Sequence, residues 1–488
     1  MKHRAQIQHF DFLADLISVL LRKDRILFFD PSKRRTTQYN SAWNQEVNAL
    51  LEKYPQLEDL TAVCMCGIEK AIVDAVMYWA EQQEFFPLLT LIQRLDQVIS
   101  WEDQLKLADT LQNSGRGFSA LNSNSKETGI VLYIRVPSFQ DNRTPFMEEA
   151  VPVRKWQSHF APGINQELKN VYCVLEEKLK LGDVPCKVTN HIVRLTIPAS
   201  RKLRIGFLPL LRDAKLSPNY YARVAGKETQ NLFSLAEIEN WERVKARTRV
   251  SWLEACQQNV DIGILPECLG GAELFSNPEY SEFFDALAQE AEATNCAAPQ
   301  LTIGPSWWNE GHNRLYVMDG SGNYICAQEK WFPFEYSENG QTYLEDLQRE
   351  QPEVNILHIP GLGRVGLTVC ADLLHKEMTD LLIQTLHCNF VICLSFSQGK
   401  TLFSRICETG ASYGTTMILL NSCSALREPG KGVGVIASPG QNISLCAGCE
   451  GRCGGNSAAC LFIADLDLNT GEFLTPWHIC PQDEAGGA

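Results

Sequence analysis

The chain has 488 residues, enough for two or three domains with ample core, and its 45% hydrophobic and 21% charged residues are ordinary for a globular protein. A net charge of −14, from 44 basic and 58 acidic residues, argues against general nucleic-acid binding. No apolar stretch approaches the ~20 residues needed to span a bilayer. The opening Met1-Lys-His-Arg-Ala-Gln lacks an apolar signal core, and the eighteen cysteines read as reduced thiols, so a cytoplasmic protein is expected.

Phe10, Leu13, Leu16, Ile17, Leu20 and Leu21 recur at helical spacing and predict an amphipathic first helix. Helical patterns follow over 42–54, 57–82, 101–112 and 164–180, with strands over 130–136 and 188–197 and a polar loop over 120–129. Cys64 and Cys66 stand too close on a helix to face one ligand. The basic clusters Arg22–Arg35 and Arg243–Arg249 read as solvated helix faces. Residues 1–200 therefore predict a mainly α-helical accessory domain, serving oligomerisation or partner binding, with a substrate-selecting cap as the alternative. Pro198-Ala-Ser-Arg-Lys202 marks the expected boundary.

From Leu203 onward strands and helices alternate, which predicts an α/β layered domain over 202–480. Strands are expected at 203–208, 261–265, 300–304, 314–319, 324–328, 354–359, 364–369, 390–395, 417–421, 432–437 and 459–466. Helices are expected at 234–258, 279–294, 373–386 and 403–413. The tail 481–488 reads as disordered.

Three polar residues stand just past strand ends in this pattern: Glu267, Lys330 and Cys370. In a layered sheet such positions can converge, and the set is coherent for acyl transfer. A carboxylate takes the thiol proton and a thiolate attacks. An ammonium group, with the backbone N–H of Ala371, steadies the oxyanion.

The residues around them carry a resemblance. Leu265-Pro-Glu267-Cys-Leu-Gly-Gly271, Ala327-Gln-Glu-Lys330-Trp-Phe and Gly363-Arg-Val-Gly-Leu-Thr-Val-Cys370-Ala-Asp372 resemble, in order, the glutamate, lysine and cysteine motifs of the carbon–nitrogen hydrolase (nitrilase-like) superfamily. The strand pair opened by His312-Asn313, the Arg405–Asn421 segment, Gly434–Gly440 and Leu461–Asp467 are similar to its flanking features, so the likeness covers about 202–475. It implies an α-β-β-α sandwich in a homodimer or higher homo-oligomer, and hydrolysis of a non-peptide C–N bond in a small-molecule amide, carbamoyl or nitrile substrate. It implies no cofactor for the chemistry. It also implies a second glutamate between lysine and cysteine: Glu335, Glu338 and Glu345 are candidates, with Glu345, 25 residues before Cys370 (370 − 345), favoured. The chain departs from the family pattern at Leu373-Leu-His-Lys-Glu377 and Ser395-Phe-Ser-Gln-Gly399, both expected near the substrate pocket.

His375 invites a Cys–His dyad, but five positions along a helix it would not point back at the thiol. Cys446, Cys449, Cys453 and Cys460, spaced C-x₂-C-x₃-C-x₆-C in a Gly-rich stretch, could wrap a structural zinc or an iron–sulfur cluster, with metal-free thiols the simpler expectation. Two other functions stay open beside the hydrolase. One is a non-catalytic scaffold or sensor assembling the N-terminal domains, the other an acyl- or amidotransferase using the same thioester.

Overall fold

The structure is a computed structural model that describes residues 13, 16–17, 41–53, 74–75, 78–79, 85–98, 130–134, 168, 170–209, 216–225, 228–267, 277–309, 311–338, 340–399, 401–425, 432–445 and 460–479. The chain divides into two compact units. The first comprises 1–137, 153–180 and 384–386, the second 138–152, 181–383 and 387–488.

Within the first unit, Leu13, Leu16 and Ile17 are helical and buried, as their spacing predicts. The helix Ser41–Lys53 matches the expected one, and a second, Phe85–Val98, was not anticipated. The helix expected over 164–180 is a correction: Val171–Leu175 is a strand, paired antiparallel with Ile130–Ile134. A Val-Tyr-Cys-Val run of β-branched and aromatic residues, buried on both faces, favours the strand. Asp96, itself buried, accepts the backbone N–H groups of Asn170 (3.1 Å) and Val171 (2.8 Å) where that strand begins. The helix expected over 101–112 lies outside the described residues.

The second unit is built on two large sheets. The first runs in the order Tyr324–Glu329, His312–Asp319, Leu301–Asn309, Ile262–Ile264, Lys202–Phe207, Leu461–Asp467, Glu472–Phe473, with Trp477–Ile479 also on Leu461–Asp467. The second runs Gln441–Leu445, Gly434–Ser438, Thr416–Asn421, Phe390–Ser395, Gly363–Val369, Glu353–Ile359, Lys187–Ile192. The last strand moves the expected boundary earlier: Lys187–Ile192 lies parallel to Glu353–Ile359 and belongs to this sheet, not to a domain ending at 200. The hydrophobic runs at the centre of both sheets are buried on two sides, the pattern of sheets covered by helices.

Helices Trp241–Gln257 and Asn277–Ala293 cover the first sheet through a core of Val244, Trp252, Leu287, Ala291, Trp307 and Ile463. Helix Thr401–Ser412 packs on Thr416–Asn421 and Gly434–Ser438 of the second. The inner faces meet where Leu301–Asn309 packs against Phe390–Ser395 and Tyr324–Glu329 against Glu353–Ile359. Among the described residues no helix is long and apolar enough to cross a membrane.

Two further readings are corrected. The helix expected from Ser234 begins at Trp241, because Glu228–Ile238 is a strand in a third, four-stranded sheet with Leu216–Ala225, Gln341–Glu345 and Glu335–Glu338. Leu235 and Ile238, three apart, fit helical spacing, so periodicity favours the helix. The single helix expected over 373–386 is three short turns, Ala371–Leu374, Lys376–Thr379 and a wide turn over Asp380–Thr385, broken where His375 adopts an extended backbone.

The two large sheets are joined by a buried amide pair. Gln328 donates to the Glu353 carbonyl (2.9 Å) and accepts from the Asn355 N–H (2.8 Å), while the Asn355 side chain donates to the Ala327 carbonyl (2.9 Å) and meets His191 (2.7 Å). Asn355→Ala strips the Ala327 carbonyl and His191 of their partners and is expected to cost ~1–3 kcal/mol in urea unfolding. A loss below ~0.5 kcal/mol would show that water replaces the amide.

Candidate active site

The three strand-end residues converge, and Glu345 joins them. Glu267 follows Ile262–Ile264, one strand-width from Leu301–Asn309, with the Ser306 N–H tied to the Pro266 carbonyl (3.2 Å). Lys330 directly follows Tyr324–Glu329 and its N–H bonds the Asn313 carbonyl of the neighbouring strand (2.8 Å). Cys370 ends Gly363–Val369 on the facing sheet, its N–H held by the Leu394 carbonyl (2.7 Å). All four side chains line one cavity of about 210 Å³.

The strand-to-helix turn at Cys370 is tight. Its φ of 46° with ψ of −107° is left-handed backbone that a residue with a Cβ rarely adopts, a strain of ~1–3 kcal/mol. It is held by the finished strand before it and the short helix Ala371–Leu374 after it. Asp372, fully buried, clamps this turn to the lysine segment: one carboxylate oxygen accepts the N–H groups of Trp331 (2.9 Å) and Phe332 (2.7 Å).

Lys330 sits between two carboxylates. Its Nζ lies 2.9 Å from Glu267 Oε1 and 2.8 Å from Glu345 Oε2, and all three side chains are almost wholly excluded from solvent. Buried charges persist only when paired and hydrogen-bonded, and each carboxylate has further donors. Glu267 accepts Asn313 Nδ2 (2.9 Å) and the Phe396 N–H (2.6 Å), and Glu345 accepts the Phe334 N–H (2.8 Å). Asn313 is buried with its Oδ1 unpaired and its amide aimed at the acids.

The electrostatics follow from this arrangement. Burial disfavours the Lys330 charge, but Glu267 and Glu345 more than reverse the effect and hold its pKa well above the ordinary value. Burial lifts the Glu345 carboxyl, with Lys330 opposing and Glu267 adding to the rise. Burial, then the Glu267 charge, push the Cys370 thiol well above its usual range against the pull of Lys330. The resting Cys370 side chain is therefore a thiol.

Of the other sequence candidates, Glu335 is exposed on its strand, which leaves Glu345 as the buried acid beside the lysine. Ala371 is buried and directly follows the thiol. His375 does not approach Cys370 as a base: its ring stacks on Phe332, centroids 3.8 Å apart and planes 6° from parallel. Cys446, Cys449 and Cys453 lie outside the described residues, and Cys460 is buried just before Leu461–Asp467. Three contributors went unassigned in the sequence: Asn313, Asp372 and Asn421. Asn421 ends Thr416–Asn421 and grips the next loop, accepting from Ser395 Oγ (3.0 Å) and the Ser397 N–H (2.9 Å) and donating to the Ser397 carbonyl (2.8 Å). That grip places the Phe396 N–H on Glu267. The available signal was position alone, since each stands in or beside a motif.

No family model matches the chain, and no curated protein matches it. Solved structures do. The chain is similar to an amidase from Nesterenkonia sp. AN1 crystallised as a double mutant with acrylamide, at 14% identity and a TM-score of 0.35, over 56% of this chain and 95% of that one. A mutant of the same amidase, showing covalent addition of the acetamide moiety of fluoroacetamide at the active site cysteine, matches at 14% identity and a TM-score of 0.37, over 57% and 96%. Another mutant, described as from the nitrilase superfamily, matches at 14% and 0.35 over the same shares.

Asp372 gives a pH test. Burial raises its carboxyl to about 7, against about 3.9 in an unfolded chain. The native state then binds more protons than the unfolded state between these values, so this group makes stability fall as pH rises from about 4 to about 7 and leaves it level above. Asp372→Asn keeps an acceptor for Trp331 and Phe332 but cannot titrate. Urea midpoints at pH 4.5 and 7.5 are expected to fall less in Asp372→Asn than in wild type. Equal slopes would mean the carboxyl titrates normally.

Proposed function

We propose that the protein hydrolyses a non-peptide C–N bond through a Cys370 thioester, on an α-β-β-α sandwich of nitrilase type. The single observation that carries this reading is the buried Lys330 ammonium, held between Glu267 and Glu345 in the cavity that Cys370 lines.

Glu267 takes the Cys370 proton as sulfur attacks the carbonyl carbon, so the raised thiol never has to exist as a free thiolate. Lys330 Nζ and the Ala371 N–H receive the oxyanion as the C–S bond forms. Collapse of the intermediate breaks the C–N bond, and Glu267 returns the proton to the departing ammonia or amine. Water, deprotonated by Glu267, attacks the thioester, the C–S bond breaks, and the proton goes back to sulfur. Glu345 does no proton transfer here: it holds Lys330, and its own position is set by Phe334. The lysine keeps its charge throughout because two acids face it.

Intact-protein mass spectrometry with ammonia detection, over a panel of amides, carbamoyl compounds and nitriles, tests this. Wild type releases ammonia. Cys370→Ala takes no adduct and loses at least ~10³-fold in turnover, and Glu267→Gln, which lacks the base for both acylation and deacylation, loses turnover by a comparable factor. Glu345→Gln is expected to lower kcat by ~10²-fold with a smaller change in KM, since it loosens a group that acts in the transition state. A folded wild type that yields neither Cys370-dependent ammonia nor a Cys370 adduct from any compound would sink the hydrolase and favour the scaffold. An adduct released only by an added amine or alcohol would favour the transferase.

A further inference from the structure

An aromatic part of the cavity wall comes from the small third sheet, which also carries Glu345. The Leu216–Ala225 and Glu228–Ile238 strands bring Tyr220 and Phe233 to it, and Tyr336 comes from Glu335–Glu338. Trp308, Phe334 and Phe396 complete an aromatic lining. This wall is braced. Phe233 meets Tyr336 edge-on at 6.3 Å, and Tyr220 packs on Tyr343 at 4.5 Å. Asp346, next to Glu345, accepts both Arg223 guanidinium nitrogens (3.0 and 2.6 Å) and the Tyr221 hydroxyl, so the hairpin is fastened to the segment that carries Glu345.

The charge in the cavity is already committed. Among the described lining residues Lys330 is the one cation, and two carboxylates share it. Arg223 of the hairpin is taken up by Asp346. Among the described lining residues, a carboxylate on the substrate would find two acids to one ammonium. A substrate ammonium would find the oxygens of Glu267 and Glu345 already engaged by Asn313, Phe396, Phe334 and Lys330. Burying a charge unpaired costs several kcal/mol, and an apolar wall cannot offset it. The size is also limiting: about 210 Å³ is below the ~300–1,000 Å³ of pockets for drug-sized ligands, while ~150 Å³ of apolar cavity holds a benzene ring.

We propose that the Tyr220–Phe233–Tyr336 wall is the acyl-binding subsite and that it selects an uncharged apolar acyl group, aliphatic or up to phenyl size, on a small carboxamide. This rests on the hydrolase reading above and adds its substrate class.

The test uses full-length wild-type protein and two matched pairs of amides, with ammonia release as readout. 4-Methylpentanamide is paired with succinamate, which puts a carboxylate where the branched methyls stand. Pentanamide is paired with 4-aminobutanamide, which ends in an ammonium group. The neutral member of each pair is expected to have a kcat/KM at least about 100-fold higher. Phe233→Arg is expected to narrow the succinamate gap by about tenfold or more, and Tyr336→Arg, from the other side of the wall, serves if Phe233→Arg does not fold. Comparable turnover of either charged amide by wild type overturns the assignment. Unchanged discrimination in a folded arginine variant removes these aromatics from the subsite. If no amide of any charge yields ammonia or a Cys370 thioester, the hydrolase reading itself fails and this one falls with it.

Discussion

A lysine ammonium buried between two carboxylates is the constraint on which the second unit depends. Desolvating Lys330 alone would drive it to the neutral amine, and desolvating Glu267 or Glu345 alone would protonate it. Together they keep charge in a place that water does not reach, provided the remaining lone pairs are occupied. The surrounding backbone is arranged to that end. Phe334 and Phe396 each aim an N–H at a carboxylate, and Asn313 spends its amide on Glu267. Removing one partner leaves a buried charge, so the three side chains form one unit and not three separable contributions.

That unit and Cys370 come from different sheets, and this is why the braces between them matter. Glu267 and Lys330 belong to one sheet, while Cys370 and the Phe396 loop belong to the other. A slip between the sheets would pull Cys370 away from the acids and the lysine with which it lines the cavity. Three polar devices oppose it: the Gln328–Asn355 amide pair, the Asp372 carboxylate on Trp331 and Phe332, and Asn421 on the Ser395–Ser397 loop. Asp372 is the most direct, since it fixes the strained Cys370 turn to the chain that carries Lys330. The strain at Cys370 persists because strand, helix and Asp372 together leave it no other conformation.

The catalytic set was legible because strand ends are legible. Short β-branched runs such as Val365–Val369 stop at a polar residue, and three such stops in one layered domain give Glu267, Lys330 and Cys370. Glu345 was harder, because Glu335 and Glu338 have the same chemistry; Glu335 is exposed and Glu345 is buried against Lys330, while the Glu338 side chain lies outside what the structure describes. The wall of the cavity was not legible. Leu235 and Ile238, three apart, fit a helical period, and an irregularity in the strand pairing between Leu235 and Glu237 breaks the strand's period of two, so the end of the Glu228–Ile238 strand was absorbed into the helix that follows it and the hairpin to Leu216–Ala225 was missed. Val171–Leu175 failed similarly, with an amphipathic-looking window overriding its β-branched content. Asp372, Asn313 and Asn421 escaped for another reason: their work is to accept from or donate to groups far away in sequence, backbone for Asp372 and Asn421 and the Glu267 carboxylate for Asn313, which no local pattern encodes.

The raised thiol then bears on how such a site must work. A low thiol pKa would supply thiolate in advance but weaken its nucleophilicity, since nucleophilic strength falls with basicity. Here burial and the Glu267 charge keep Cys370 protonated, and the same Glu267 is the nearby acceptor that attack requires. Lys330 cannot supply the thiolate by itself, because its charge is divided between two acids. It can, however, meet a new oxyanion at the moment one forms, and the aromatic wall keeps the dielectric low enough for that encounter to be strong. An apolar cavity wall and a protonated resting thiol are therefore two consequences of one choice. Excluding water raises the cost of every isolated charge, and it strengthens the one interaction that develops only in the transition state.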